Sequence, residues 1–428
     1  MSPRIAVVGG GISGLAAAHR LRALLPDAVL TVLEQRDRTG GVLHTVDVAG
    51  VAFDVGAEAF LARRPEVPAL LAELGIADRI VHPSAAGATV RAAGRTAPLP
   101  GATLLGVPTS AARLDGVLSA GGLSAVVAEP HTPLAWTSGE DPALGPLLRA
   151  RFGAEVVDRL ADPLLGGVYA GRVDALGLRA TVPALAAELD AGAPNLTAAA
   201  DRATSNGPMC RSLPAEPPEG GPAFGAVQGG YRVLLDALIA AARVELRLRT
   251  CVRVLERTAT GWRLTLGPVP DPEHLDVDAV VLAVPAPAVA RLLAGAAPAA
   301  ARAAGEIELA SSVVVALAYR RQDAPLPPTS GVLVAADEPL SIKAATHSST
   351  KWAHLSPDGL VRLRASLGRF GEAATLQVND AELVARVRAD LATLTGITAA
   401  PVAVHVARWG GGLPQYAPGH LDRVAAIE

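Results

Sequence analysis

Hydrophobic positions along this chain fall into a few recurring patterns. Three short runs, Arg4-Ile5-Ala6-Val7-Val8, Val29-Leu30-Thr31-Val32-Leu33 and Val280-Val281-Leu282-Ala283-Val284, are almost continuously apolar and read as buried strands. Between the first two, Leu15 to Leu25 reads as a helix and Pro26-Asp27 as a turn. Helical spacing of i, i+3, i+4 returns at Leu144, Leu147, Leu148, Phe152, Val156, Val157 and Leu160, which share one face. A strand pair is predicted around Val244 to Leu255 and Trp262 to Leu266. Further strands are predicted at Ser312 to Tyr319 and Val361 to Leu367, with a helix over Asp380 to Leu394. Residues 191–225 differ: rich in Ala, Pro, Gly and Ser, with Pro214, Pro217, Pro218, Gly220 and Gly221, they read as a mobile loop.

The first strand leads into Gly9-Gly10-Gly11-Ile12-Ser13-Gly14, and the second ends on Glu34. Strand, glycine turn, helix, strand and acidic residue in this order form a dinucleotide fingerprint. Gly9 permits the tight turn, Gly11 admits a pyrophosphate to the backbone, and Gly14 lets helix and strand pack closely. The helix then presents its free amides to the phosphates. A carboxylate at Glu34 accepts hydrogen bonds from an unphosphorylated ribose and repels a 2′-phosphate, which disfavours NADP.

The following residues select among the remaining dinucleotides. Arg38, Gly40-Gly41-Val42 and the turn Gly56-Ala57-Glu58-Ala59 are superfluous for NAD. A chain that must also pass close to a ribityl chain and an isoalloxazine ring needs such a second glycine pair. Arg38 is placed to offer its planar fork to the pyrophosphate. The cofactor expected is non-covalent FAD. No second fingerprint follows, so no pyridine-nucleotide domain is expected, and oxygen can serve as the acceptor.

Glu34-x-Arg36-Asp37-Arg38-x-Gly40-Gly41, followed by Gly50-x-x-Phe53-Asp54-x-Gly56-Ala57, resembles the flavin amine oxidase superfamily. Asp162-Pro163-Leu164-Leu165-Gly166-Gly167-Val168-Tyr169-Ala170-Gly171, Gly229-Gly230-Tyr231, Val280 to Pro287, Lys343 to Trp352, and Arg408-Trp409 with Leu413-Pro414-Gln415-Tyr416 narrow the likeness. They resemble the protoporphyrinogen/coproporphyrinogen III oxidase family, most closely its Gram-positive coproporphyrinogen type. The resemblance implies an α/β plus α+β fold. Its parts are an FAD-binding Rossmann-like domain of the amine oxidase/p-hydroxybenzoate hydroxylase type, a substrate-binding α+β domain and a helical domain. The corresponding boundaries are 1–82, 226–292 and 405–428 for a discontinuous FAD-binding domain. Residues 83–103 and 293–404 make the substrate domain, and 104–225 the helical domain. Family members continue past the Gly419-His420 helix to a strand and a glycine-rich turn over the flavin. This sequence ends at Glu428, leaving open whether the flavin site is complete within it.

Composition narrows the function classes. The 428 residues carry a formal net charge of −3, so no general basic field recruits nucleic acid. No run reaches the roughly 18 apolar residues of a membrane span; Ala279 to Ala290 is interrupted by Pro285 and Pro287. Peripheral membrane contact stays open. The first strand begins at Arg4, leaving no room for a leader, and Cys210 and Cys251 read as free thiols, so the expected location is the cytoplasm.

The resemblance implies oxidation of coproporphyrinogen III to coproporphyrin III, with O2 as acceptor and H2O2 as product, in haem biosynthesis. Removing six electrons through a two-electron cofactor requires positioning and a dry site rather than a strong acid or nucleophile, and no catalytic residue is assigned. Cofactor contacts implied are Gly9, Gly10, Gly11, Ile12, Ser13, Gly14, Glu34, Arg38, Gly41, Val42, Gly56, Ala57, Glu58, Ala59, Val252 and Trp409. Arg64 and Lys343 are expected to hold substrate propionates, and no metal is expected. Partners implied are the tetrapyrrole, O2 and other haem-pathway enzymes that receive the product. The alternatives are protoporphyrinogen IX oxidation, a flavin amine oxidase and a non-enzymatic haem-pathway binding protein. An aromatic fraction of 3% disfavours the aromatic cage of an amine oxidase.

Overall fold

The computed structural model describes residues 2–206 and 222–428. A four-stranded parallel sheet runs in the order Glu245–Arg247, Val29–Leu33, Arg4–Val8, Ala279–Leu282. Its strands are apolar on both faces because both are covered. Val7 and Val32 pack with Leu15, Leu235 and Leu238 of the helices Ile12–Leu24 and Arg232–Ala242. Ala6, Val8 and Leu33 pack with Leu255, Leu264 and Leu266 of an antiparallel sheet formed by Val252–Arg257, Trp262–Leu266 and Glu273–Val277. From Arg4–Val8 the chain departs to one neighbour, Val29–Leu33, and later returns on the other side as Ala279–Leu282. That reversal opens a crevice at the carboxyl ends of the strands, the usual ligand position in such sheets.

The second layer is a seven-stranded sheet in the order Ala403–Pro414, Leu309–Arg320, Leu360–Leu367, Ile342–Thr346, Gly331–Val334, Ala88–Ala92, Arg95–Pro98. All its joins are antiparallel except that between Gly331–Val334 and Ala88–Ala92. Val313, Val315, Leu317 and Leu363 face Leu383, Val387 and Leu391 of the helix Asp380–Thr395. The alternate residues Val314, Ala316 and Ala318 face Phe53, Val55, Trp352 and Trp409.

Two segments depart from the sequence-based expectation. Residues 405–414, assigned to the FAD-binding unit, belong to a strand of this sheet, paired along Leu309–Arg320. Both strands are 12 residues long, so the outer one covers amides that would otherwise be left unpaired at the edge. The expected mobile loop at 191–225 contains the helix Leu196–Asn206 and the strand Phe224–Val227. Asn195 Oδ1 accepts the Ala198 amide, and the Glu129 carboxylate accepts those of Leu196 and Thr197, so the helix start is fully capped. Ala199, Ala200 and Ala203 are buried, and alanine is the strongest helix former once an end is secured. Residues 207–221, including Cys210, lie outside the described residues.

The helical region collects its apolar face as the spacing predicts. Leu144, Leu148, Phe152, Val156, Val157 and Leu160 are buried in one cluster, with Leu147 at its margin. Gly153, at φ +81°, separates Leu144–Phe152 from the turns that lead through Val157–Ala161 into Asp162–Tyr169.

Candidate functional site

A cavity of about 280 Å³ occupies the crevice. Gly9 and Gly11 line it from the first strand–helix turn, Glu34 and Arg36 from the end of the second strand, and Gly41 and Val42 from the following loop. Val252 and Trp409 join them, so that predicted contacts, all of these but Arg36, converge from distant parts of the chain.

Two glycines shape the turn by close approach. A Cβ on Gly9 would lie 2.2 Å from the Ala283 carbonyl oxygen, and one on Gly14 would lie 1.9 Å from that of Gly9. Helix Ile12–Leu24 can therefore start directly against the sheet. Gly11 provides no side-chain cap, so the first amides, at Ile12 and Ser13, have no side-chain acceptor. Gly11 and Gly41 stand side by side at the cavity wall; a Cβ on Gly41 would come 3.2 Å from Gly11 Cα. These features fit a dinucleotide: a cradle without side chains, an uncapped helix start, and Glu34 at the expected ribose position.

Glu34 is buried, its Oε2 accepting the Gly10 amide and its Oε1 the Arg36 amide, both at 2.8 Å. Arg38 does not line the cavity. Its guanidinium donates to the carbonyls of Thr39, Gly41 and Leu43 and lies over the Trp409 ring at 5.7 Å, bracing the glycine loop from behind. Trp409 is fixed on its other side by Nε1 donating to Val55 O at 3.0 Å. A Cβ on Gly56 would meet Val42 O at 1.9 Å, so this turn packs directly beneath the loop.

Arg36, Arg291 and Gly410-Gly411-Gly412 also line the cavity, and sequence reasoning missed their role. The glycine triplet directly follows Trp409 and was the available signal. Ala57, Glu58 and Ala59 are outside this lining. The half-buried Glu58 carboxylate accepts Trp352 Nε1 at 2.8 Å and Lys351 Nζ at 3.3 Å. Burial raises its pKa, but Lys351, Arg364 and these hydrogen bonds outweigh that and hold it below the usual carboxylate value.

The profile of the flavin containing amine oxidoreductases matches residues 12–426. The chain belongs to that family. Among its relatives, the coproporphyrinogen III oxidase of Mycobacterium tuberculosis (strain H37Rv) is 47% identical over 432 residues, covering 100% of this chain and 90% of the relative. The coproporphyrinogen III oxidase of Bacillus subtilis is 28% identical over 439 residues, covering 99% and 89%. A solved structure from Exiguobacterium superposes with a TM-score of 0.84 at 29% identity, covering 100% of this chain and 90% of that one. The expected fold, a flavin-binding Rossmann-like unit joined to a mixed sheet and helices, is the fold of this family.

The two candidate propionate ligands lie outside the cavity lining. Arg64 is exposed, following the short strand Phe60–Leu61. Lys343 is buried in the seven-stranded sheet, and burial together with the nearby Arg369 lowers its pKa to about 8. Among the described residues no group of His, Cys, Asp and Glu is arranged to hold a metal ion. Nor is any helix among them long and apolar enough to cross a membrane.

Proposed function

We propose that this protein is an FAD-dependent oxidase that converts coproporphyrinogen III to coproporphyrin III in haem biosynthesis. Three O2 are reduced to three H2O2 as the substrate loses six hydrogens. The observation that carries this reading is the 47% identity, spanning the whole chain, to a coproporphyrinogen III oxidase. The crevice supports it, because its backbone cradle and its carboxylate are those a flavin dinucleotide requires.

FAD, when bound, supplies the two-electron acceptor. The protein's contribution is binding and placement. Gly9 to Gly14, with Ile12 and Ser13 offering amides, receive the pyrophosphate, and Glu34, held by the Gly10 amide, the adenosine ribose. Gly41, Val42, Gly56 and Trp409 shape the flavin side, with Arg38 holding the loop and Val252 flanking the adenine end. Ala57, Glu58 and Ala59 support this wall from the adjoining turn. Arg64 and Lys343 are assigned to substrate propionates. The same reading places the protein in the cytoplasm, with peripheral membrane contact and product transfer to other haem-pathway enzymes as its further associations.

The test is an assay of the purified, FAD-loaded protein with coproporphyrinogen III, following porphyrin fluorescence and peroxide. Porphyrin and peroxide forming together support the reading; neither forming overturns it.

A further inference from the structure

The helix Asp162–Tyr169 lies against the strands Ile342–Thr346 and Gly331–Val334, where the helical region meets the seven-stranded sheet. Three cations gather there: Lys343, Arg369 and Arg172. Arg172 pairs with Glu372. Arg369 is poorly satisfied for a largely buried guanidinium. Among the described residues its polar contacts are a 3.4 Å approach to Val334 O and a 3.9 Å approach of Nε to Asp162 Oδ2, which accepts no hydrogen bond from any of them. The other Asp162 oxygen is engaged by the Val173 amide at 3.0 Å.

Lys343 is more isolated. The residue is only 7% exposed, and its ammonium, which is not among the fully buried polar atoms, makes no hydrogen bond or ion pair among the described residues. A register shift between Ile342 and Ala344 makes it the extra residue of a β-bulge, a device that re-aims side chains beside functional sites. Arginine supplies nearly all the positive charge of this chain, which contains only two lysines, Lys343 and Lys351. Burying a cation without a partner is costly, and the one carboxylate acting on Lys343, that of Glu372, is already paired with Arg172. A carboxylate on a ligand would supply the missing partner. On the helix that carries Asp162, Gly167 and Val168 are exposed and form a small apolar ledge.

We propose that Lys343 and Arg369 together form a receptor for one peripheral carboxylate of the tetrapyrrole, with Asp162 steadying Arg369 until that carboxylate arrives. This inference rests on the proposed function and extends it by adding Arg369 and Asp162 to the substrate site. The planar guanidinium and the ammonium approach the carboxylate from separate elements, so the receptor fixes both position and orientation. Arg369 is a substrate-binding residue and Asp162 a positioning residue.

The test compares FAD-loaded wild type with Arg369→Gln and Lys343→Met. Binding of coproporphyrin III and of its uncharged tetramethyl ester is titrated by fluorescence in detergent, with FAD content measured alongside. Each variant is expected to bind coproporphyrin III about ten- to a hundred-fold more weakly. Affinity for the ester and FAD content should be unchanged. Lys343→Met replaces the lysine with an apolar chain of similar length, so it remains decisive if Arg369→Gln folds poorly. Wild type that oxidises coproporphyrinogen while both variants bind coproporphyrin III within two-fold of it overturns the receptor alone. An equal loss for the ester also overturns it. Wild type that neither binds the porphyrin nor oxidises its porphyrinogen overturns the functional reading, and the receptor with it.

Discussion

The Glu34 carboxylate and the Gly10 amide are joined by a 2.8 Å hydrogen bond that ties the end of the second strand to the glycine turn after the first. With the Arg36 amide on its other oxygen, this carboxylate is oriented before any ligand arrives. Glu34→Ala removes both acceptors and leaves the Gly10 amide unpaired. The expected cost is about 1–3 kcal/mol, seen as roughly a ten- to hundred-fold rise in the FAD dissociation constant measured by flavin fluorescence. Glu34→Gln, which keeps one acceptor oxygen, should lose less.

Gly14 and Gly410 are glycines for different reasons. Gly14→Ala drives a methyl into the Gly9 carbonyl and must separate helix from strand, lowering both thermal stability and FAD affinity. A Cβ on Gly410 meets nothing within 4 Å, yet the residue lines the cavity. Gly410→Leu is therefore expected to reduce FAD content while leaving the melting temperature of the apoprotein within about 2 °C of wild type. Melting curves of apoprotein and FAD-loaded protein separate the two cases.

How much of the site could be read from the sequence follows from where its parts come from. The Gly9–Gly14 turn and Glu34 are fixed by contiguous strand, turn and helix signals within the first 34 residues, so their placement was legible. Gly410-Gly411-Gly412 and Arg291 reach the cavity through long-range packing. The triplet's position depends on the pairing of Trp409 with Ser312 and a register shift between Ala310 and Ser312, which no local pattern announces. The helix Leu196–Asn206 was hidden for a similar reason, since its amides are capped by Glu129, 67 residues earlier for Leu196. The fingerprint and the second glycine pair supplied the cofactor and the resemblance the substrate, whereas the cationic cluster around Arg369 is a product of tertiary folding.

Glu129 carries that cap almost fully buried, and it also pairs with Arg151 at 2.8 Å. Burial raises its pKa, but hydrogen bonds from Thr197, Arg151 and two amides prevail and hold it below the usual value. Its contribution to stability is thus present above the unfolded-state pKa and is lost as pH falls through the lower folded-state value. Glu129→Ala strands the Arg151 charge and should cost about 3–5 kcal/mol. Limited proteolysis should then cut within 196–206 faster than in wild type.

Lys343 sets stability against substrate binding. Its pKa is lowered from 10.5 to about 8 by burial and by Arg369, with Glu372 opposing and Arg364 adding a smaller effect. The folded state therefore holds fewer protons than the unfolded chain between pH 8 and 10.5, and stability rises with pH across that window. At pH 7 the charged lysine costs on the order of 3 kcal/mol, so Lys343→Met should raise the melting temperature. That gain should shrink as pH climbs through the window. Coproporphyrin III affinity of the wild type should fall as pH rises above about 8, and the Lys343→Met variant should lack that dependence.

The most direct measurement of the central claim is a substrate comparison with the purified, FAD-loaded protein. Coproporphyrinogen III and protoporphyrinogen IX are supplied separately in air-saturated buffer, and porphyrin fluorescence and peroxide are followed together. The expected result is faster turnover of the four-carboxylate substrate, with three peroxides formed per porphyrin. Faster turnover of protoporphyrinogen IX, or no porphyrin from coproporphyrinogen III, would contradict the account.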